Sequence, residues 1–144
     1  MAMDREELMT FILDHYENPR NYGSLDNAKV IQKGGNPGCG DIVTLYLNID
    51  DEGRIKDVSF EGEGCIVSQA GTSIITEIVA GKTVDEVEAM GPEVITDVIG
   101  RELAMTRPRC TTLGITTVKM ALKEWQRKKM LDQIEKDNTN SQSG

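Results

Sequence analysis

Apolar positions follow different rhythms along the chain, and each rhythm predicts a different element. Between residues 4 and 16, Leu8, Met9, Phe11, Ile12 and Tyr16 recur near helical spacing, with Asp4 ahead of acidic residues as an N-cap signal. Pro19 and Gly23 in NPRNYGS end that helix. From residue 42 the pattern becomes alternation: Val43, Leu45, Leu47 and Ile49 share one side of IVTLYLNID, and IKDVSFE at 55–61 reads as a second strand. The intervening DDEG is a turn of the kind that joins antiparallel strands, and AKVIQK at 28–33 predicts a further short strand.

Beyond residue 65 the character is helical. A helix is predicted over 66–80 with Gly81 at its stop, then a short one opened by Thr83, Asp85 and Glu86 with Val84 and Val87 inward. Residues 92–104 read as one or two short helical pieces. A long final helix is expected to begin just after Cys110 and to pass through Leu113, Val118, Ala121, Leu122 and Trp125. It should close on the basic run Arg127, Lys128 and Lys129, which suits a helix C-terminus. Residues 1–130 read as a single domain, and 131–144, ending in DNTNSQSG, as a polar, disordered tail.

Composition narrows the function classes. A length of 144 residues allows one modest core, and with aromatics at 4% that core must be built mainly of Ile, Val, Leu, Met and Ala. The net charge of −8 argues against a general nucleic-acid binder, which needs a basic surface for phosphates. No apolar run is long enough to span a bilayer, and the acidic, amphipathic N-terminus lacks a signal-peptide layout. A cytoplasmic protein with no membrane partner is expected. In that reducing setting its three cysteines must be core residues, nucleophiles or metal ligands rather than disulfides.

The settings of the cysteines separate these choices. Cys39 lies in the glycine-dense loop GGNPGCGD, just before a strand, and Asp41 two residues on projects to the same side of an extended segment. Cys65 ends EGEGC and Cys110 ends RPRC, each ahead of a predicted helix. Unpaired N–H groups and the helix dipole at such ends favour thiolate, and Arg107 and Arg109 act in the same sense on Cys110. A single cysteine is ordinarily a small buried hydrophobe. Here none lies within an apolar run, and all three stand at element boundaries beside Gly or Arg. Three thiolates and one carboxylate supply four ligands, the number that tetrahedral zinc or a [2Fe–2S] cluster takes. Spacing is uninformative, since paired C-x₂₋₄-C is absent. His15, the single histidine, reads as structural.

DHYENPRN (14–21), NPGCGD (36–41), FEGEGC with the small-residue helix after it (60–73), GKTVDEV (81–87) and a Cys before the last helix (110–113) resemble the U-type iron–sulfur cluster assembly scaffolds. That family comprises IscU, SufU and the N-terminal domain of NifU. The resemblance runs in order over roughly residues 8–125. It implies an α+β fold, a three-stranded antiparallel sheet with helices packed on it, with Cys39, Asp41, Cys65 and Cys110 meeting as ligands. It also implies a scaffold rather than an enzyme. Such a protein accepts sulfur from a cysteine desulfurase, binds iron, assembles a [2Fe–2S] cluster and transfers it to apo iron–sulfur proteins.

Cys110 is the expected sulfur acceptor, because its flanking arginines would hold it ionised and steer an anionic donor. One chain supplies four ligands, yet an exposed site also admits a homodimer around the cluster. One departure carries the alternative. Arg109 stands where IscU has His, as in SufU, whose resemblance implies a zinc-dependent sulfur acceptor with a sulfurtransferase role. Against that, the SufU insertion before the third Cys has no room here. The LPPVK segment through which IscU engages an Hsp70 is also replaced, by AMTRPRC.

Overall fold

The computed structural model describes residues 4–36 and 40–142, the side chains of residues 36 and 138–142 excepted. Its elements run α1 (Arg5–Glu17), β1 (Val30–Asn36), β2 (Asp41–Ile49), β3 (Ile55–Glu63), α2 (Ile66–Val79), α3 (Val84–Glu88), α4 (Glu93–Ile99), α5 (Arg101–Thr106) and α6 (Pro108–Gln142). Asp4 caps α1 as expected, its carboxylate accepting the Glu7 N–H at 2.8 Å.

The strands form one antiparallel sheet in the order β1-β2-β3. Leu45 is registered between Gln32 and Phe60, so the alternation in β2 continues across its neighbours. Val43, Leu45, Leu47, Ile49, Val30, Val58 and Phe60 are buried on the helix side, while Ile42 and Ile31 face outward. The DDEG turn is held by Asp50, whose Oδ1 accepts the N–H groups of Glu52 and Arg54 at 2.9 Å each. The predicted fold class is the observed one, with the first strand running further than expected, to Asn36.

α2 packs against α1, α6 and β3. Almost every residue along it is buried, and its middle is made of small ones, Ala70, Gly71, Thr72 and Ser73. These let α6 approach backbone to backbone: a Cβ at Gly114 would lie 2.9 Å from Thr72 Cα. That crossing fixes the first turn of α6 relative to the start of α2, which is where the two described cysteines stand.

Two expectations about α6 are corrected. The helix opens at Pro108, where a missing N–H has no helical partner to lose, so Cys110 sits within its first turn rather than ahead of it. The expected tail from 131 is instead helix as far as Gln142. Leu131, Gln133, Glu135 and Lys136 are good helix formers, and neither Pro nor Gly interrupts residues 115–142. Residues 127–137 are nonetheless exposed throughout. Exposure was legible in their polarity; continuation of the backbone helix was not. Among the described residues, no helix is long and apolar enough to cross a membrane.

Candidate metal centre

Three elements each deliver one donor to the same end of the sheet. Asp41 is the first residue of β2, Cys65 is the N-cap of α2, and Cys110 lies in the first turn of α6. Asp41 Oδ2 is 3.0 Å from Cys110 Sγ and 3.8 Å from Cys65 Sγ, while Oδ1 accepts the Cys65 backbone N–H at 2.8 Å. A carboxylate oxygen and the two sulfurs thus lie within 4.8 Å of one another. Cys39, the fourth predicted ligand, lies outside the described residues.

Local sequence explains the convergence. Gly64 has φ +148°, and a Cβ there would fall 2.1 Å from Asp41 Oδ1, so the chain can turn from β3 into α2 over the carboxylate at this position only without a side chain. Cys65 then takes the role usually filled by Ser, Thr or Asp at a helix start: its Sγ accepts the Ser68 N–H at 3.4 Å. Asp41 has no solvent exposure and Cys110 is 3% exposed, whereas Cys65 is half-buried.

Burial by itself would raise the Asp41 carboxyl. The hydrogen bonds from Cys110, the Cys65 N–H, Ser68 and Cys65 outweigh it and hold the group below its ordinary value of 3.8. The partner is pushed the other way: burial first, then the adjacent carboxylate, raise the Cys110 thiol well above its ordinary range. The argument that Arg107, Arg109 and a helix N-terminus hold Cys110 ionised is therefore overturned for the metal-free protein. Both arginines are exposed to solvent, where their field is screened, while Cys110 is shut in against a negative charge.

A carboxylate and two thiols in this arrangement form a fitting donor set for a thiophilic cation such as iron or zinc. The Cys110 S–H donates to Asp41 Oδ2, so a cation held by both atoms would have to take the place of that proton. His15 is not among the donors. It is buried beside Phe11, with Nδ1 2.8 Å from Ser73 Oγ, which ties α1 to α2. The sequence reading missed Gly64, Ser68 and Gln69. The N-cap-to-N3 interval from Cys65 to Ser68 was the available signal for the second of these.

The fold and this site together define a class: small α+β domains in which one end of a three-stranded sheet carries a carboxylate–thiol centre. Residues 8–132 match the NifU-like N terminal domain, and the chain belongs to that family. It is 37% identical over 121 residues to the iron–sulfur cluster assembly scaffold protein IscU of Escherichia coli K12, spanning 82% of this chain and 93% of that one. It is 38% identical over 128 residues to the mitochondrial iron sulfur cluster assembly protein 1 of Debaryomyces hansenii, spanning 85% and 69%. Among solved structures, FiSufU of Fervidobacterium islandicum AW-1 superposes with a TM-score of 0.65 at 32% identity, over 78% of this chain and 93% of that one. The NifU-like N-terminal protein of Brucella abortus, at TM-score 0.71 and 23% identity, over 82% and 93%, shares the fold.

Proposed function

We propose that this chain is a scaffold for iron–sulfur cluster assembly, carrying no enzymatic turnover of its own. It accepts sulfur from a cysteine desulfurase, binds iron, assembles a [2Fe–2S] cluster with electrons from an external reductant that brings the persulfide sulfur to sulfide, and passes the cluster to apo-proteins in the cytoplasm. The observation that carries this reading is the convergence of Asp41 Oδ2, Cys65 Sγ and Cys110 Sγ within 4.8 Å, from three separate elements. The relatives named as IscU scaffolds support it.

Cys39, Asp41, Cys65 and Cys110 are the proposed ligands of iron and the cluster. Four donors from one chain suffice for a [2Fe–2S] unit, so a homodimer around the cluster is not required. Sulfur enters at Cys110. The Cys110 sulfur attacks the outer sulfur of the donor persulfide, the donor S–S bond breaks, and a new S–S bond forms on Cys110. The donor leaves as a thiolate and takes up the proton that Cys110 gives up, so no net oxidation occurs. Asp41 Oδ2, 3.0 Å away, is placed to hold that proton in passing. A carboxylate is also a harder, more exchangeable ligand than thiolate, which suits a cluster that must leave.

Anaerobic purification with an absorption spectrum and iron, sulfide and zinc analysis tests the reading. The expected result is a coloured protein with matched iron and sulfide. A colourless protein holding one zinc that iron does not displace would overturn it in favour of a zinc-dependent sulfur acceptor.

A further inference from the structure

Two side chains outside the donor set are built around one of its sulfurs. Ser68 is fully buried and Gln69 nearly so, both in the first turn of α2. The Ser68 N–H donates to Cys65 Sγ at 3.4 Å, and the Ser68 hydroxyl oxygen stands 3.7 Å from the same sulfur and 3.1 Å from the Cys65 carbonyl oxygen. Gln69 Nε2 donates to Ser68 Oγ at 3.3 Å. Gln69 is itself seated against β3, since a Cβ at Gly62 would come within 2.8 Å of its Oε1.

The Gln69 contact decides what the hydroxyl does. With one lone pair of Oγ taken by the amide, the hydroxyl proton is directed to an acceptor. Those around it are the Cys65 carbonyl at 3.1 Å and the Cys65 sulfur at 3.7 Å. While Cys65 is a thiol, its S–H has two acceptors within reach, Ser68 Oγ at 3.7 Å and Asp41 Oδ2 at 3.8 Å. Once that sulfur binds a cation it has lost its proton and becomes the acceptor, and the hydroxyl can turn onto it without a change of backbone. Ser68 itself is fully buried, so water does not compete for its hydroxyl.

Resting on the reading of Cys65 as a cluster ligand, we infer that Ser68 and Gln69 are positioning residues for that ligand. Ser68 gives the bound Cys65 thiolate two hydrogen bonds, from its N–H and its hydroxyl, and Gln69 fixes the hydroxyl's orientation. Hydrogen bonds to a ligating sulfur draw electron density from it and raise the reduction potential of the centre. The pair therefore makes the cluster easier to reduce than bare thiolate ligation would.

The test uses the full chain with Ser68→Ala, Ser68→Thr and Gln69→Leu. Two readouts are taken: the reduction potential of the anaerobically reconstituted cluster, and the sulfur-to-cobalt charge-transfer band of the protein loaded with Co²⁺ alone. Ser68→Ala, nearly isosteric, is expected to lower the potential and shift the band to lower energy. Ser68→Thr should restore both, and Gln69→Leu should move both in the Ala direction by less. Melting temperatures of all variants report on folding separately. Ala and wild-type proteins with the same potential and the same band overturn the inference, as does a shift that Thr, folded, fails to reverse. If the wild type assembles no cluster, the scaffold reading fails while the Co²⁺ band still decides the role of Ser68. Absence of any sulfur-to-cobalt band in the wild type overturns both.

Discussion

Asp41 Oδ2 lies 3.0 Å from the Sγ of Cys110, a residue 69 positions further along the chain, and both are shut away from solvent. Each partner alters the other. The carboxylate is held ionised by the hydrogen bonds it accepts, and the thiol is held protonated by burial and then by the charge beside it. If Cys110 is a ligand as proposed, a cation entering the site would take the place of that shared proton, and binding would be coupled to deprotonation of Cys110.

In the metal-free protein, Cys65 should therefore be alkylated faster than Cys110. Cys65 is half-buried and Cys110 is 3% exposed with its thiol raised. Iodoacetamide labelling at neutral pH with site mapping by mass spectrometry should show a rate ratio on the order of tenfold or more. Equal rates would contradict the closed Asp41–Cys110 pair.

Replacing Asp41 by Ala should lengthen cluster retention, because the most exchangeable of the proposed ligands is removed and the thiolates remain. Transfer to an apo-ferredoxin, followed by absorption, should slow correspondingly. Retention and transfer both matching wild type would remove Asp41 from the release step.

Gly64→Ala should damage the centre without touching a donor. Its methyl group would meet Asp41 Oδ1 at 2.1 Å, on a backbone at φ +148° that disfavours any side chain. A stability loss of more than about 1 kcal/mol is expected from the backbone alone, with weaker Co²⁺ binding from the displaced carboxylate. In an Asp41→Ala background part of the stability loss should disappear, because part of the clash is with the carboxylate. Additive losses in that thermal-denaturation cycle would argue against the contact.

His15 gives the fold an acid-sensitive element separate from the carboxylates. Burial, then Arg20, lower its affinity for a proton below the ordinary value of 6.5, with Glu77 and Asp14 opposing them. Below pH 6.5 the unfolded chain binds a proton that the folded chain resists, so stability falls as pH drops from 6.5 toward the folded value. Asp41, Asp14 and Asp50, all held below 3.8, weaken the fold only at lower pH, as they are protonated. Melting temperatures between pH 7 and 5 should decline less in His15→Gln than in the wild type. Parallel profiles would show that His15 does not titrate with unfolding.

What the sequence determined by itself was the set of elements and the residues at their ends. Alternation in 42–50 marked β2, helical spacing in 4–16 marked α1, and Asp4, Thr83 and Gly81 marked boundaries, because backbone geometry and capping act over a few residues. The placing of Asp41, Cys65 and Cys110 at such ends was legible for the same reason. Only the tertiary structure decided how they meet. That depends on Gly64 clearing space over a carboxylate and on small residues of α2 admitting α6 at Gly114, contacts between positions far apart in the chain. The ionisation of Cys110 went against its neighbours in sequence. Arg107 and Arg109 stand close to it along the chain but in solvent, while in space it is buried against Asp41, and short-range contact at low dielectric prevails over screened charge.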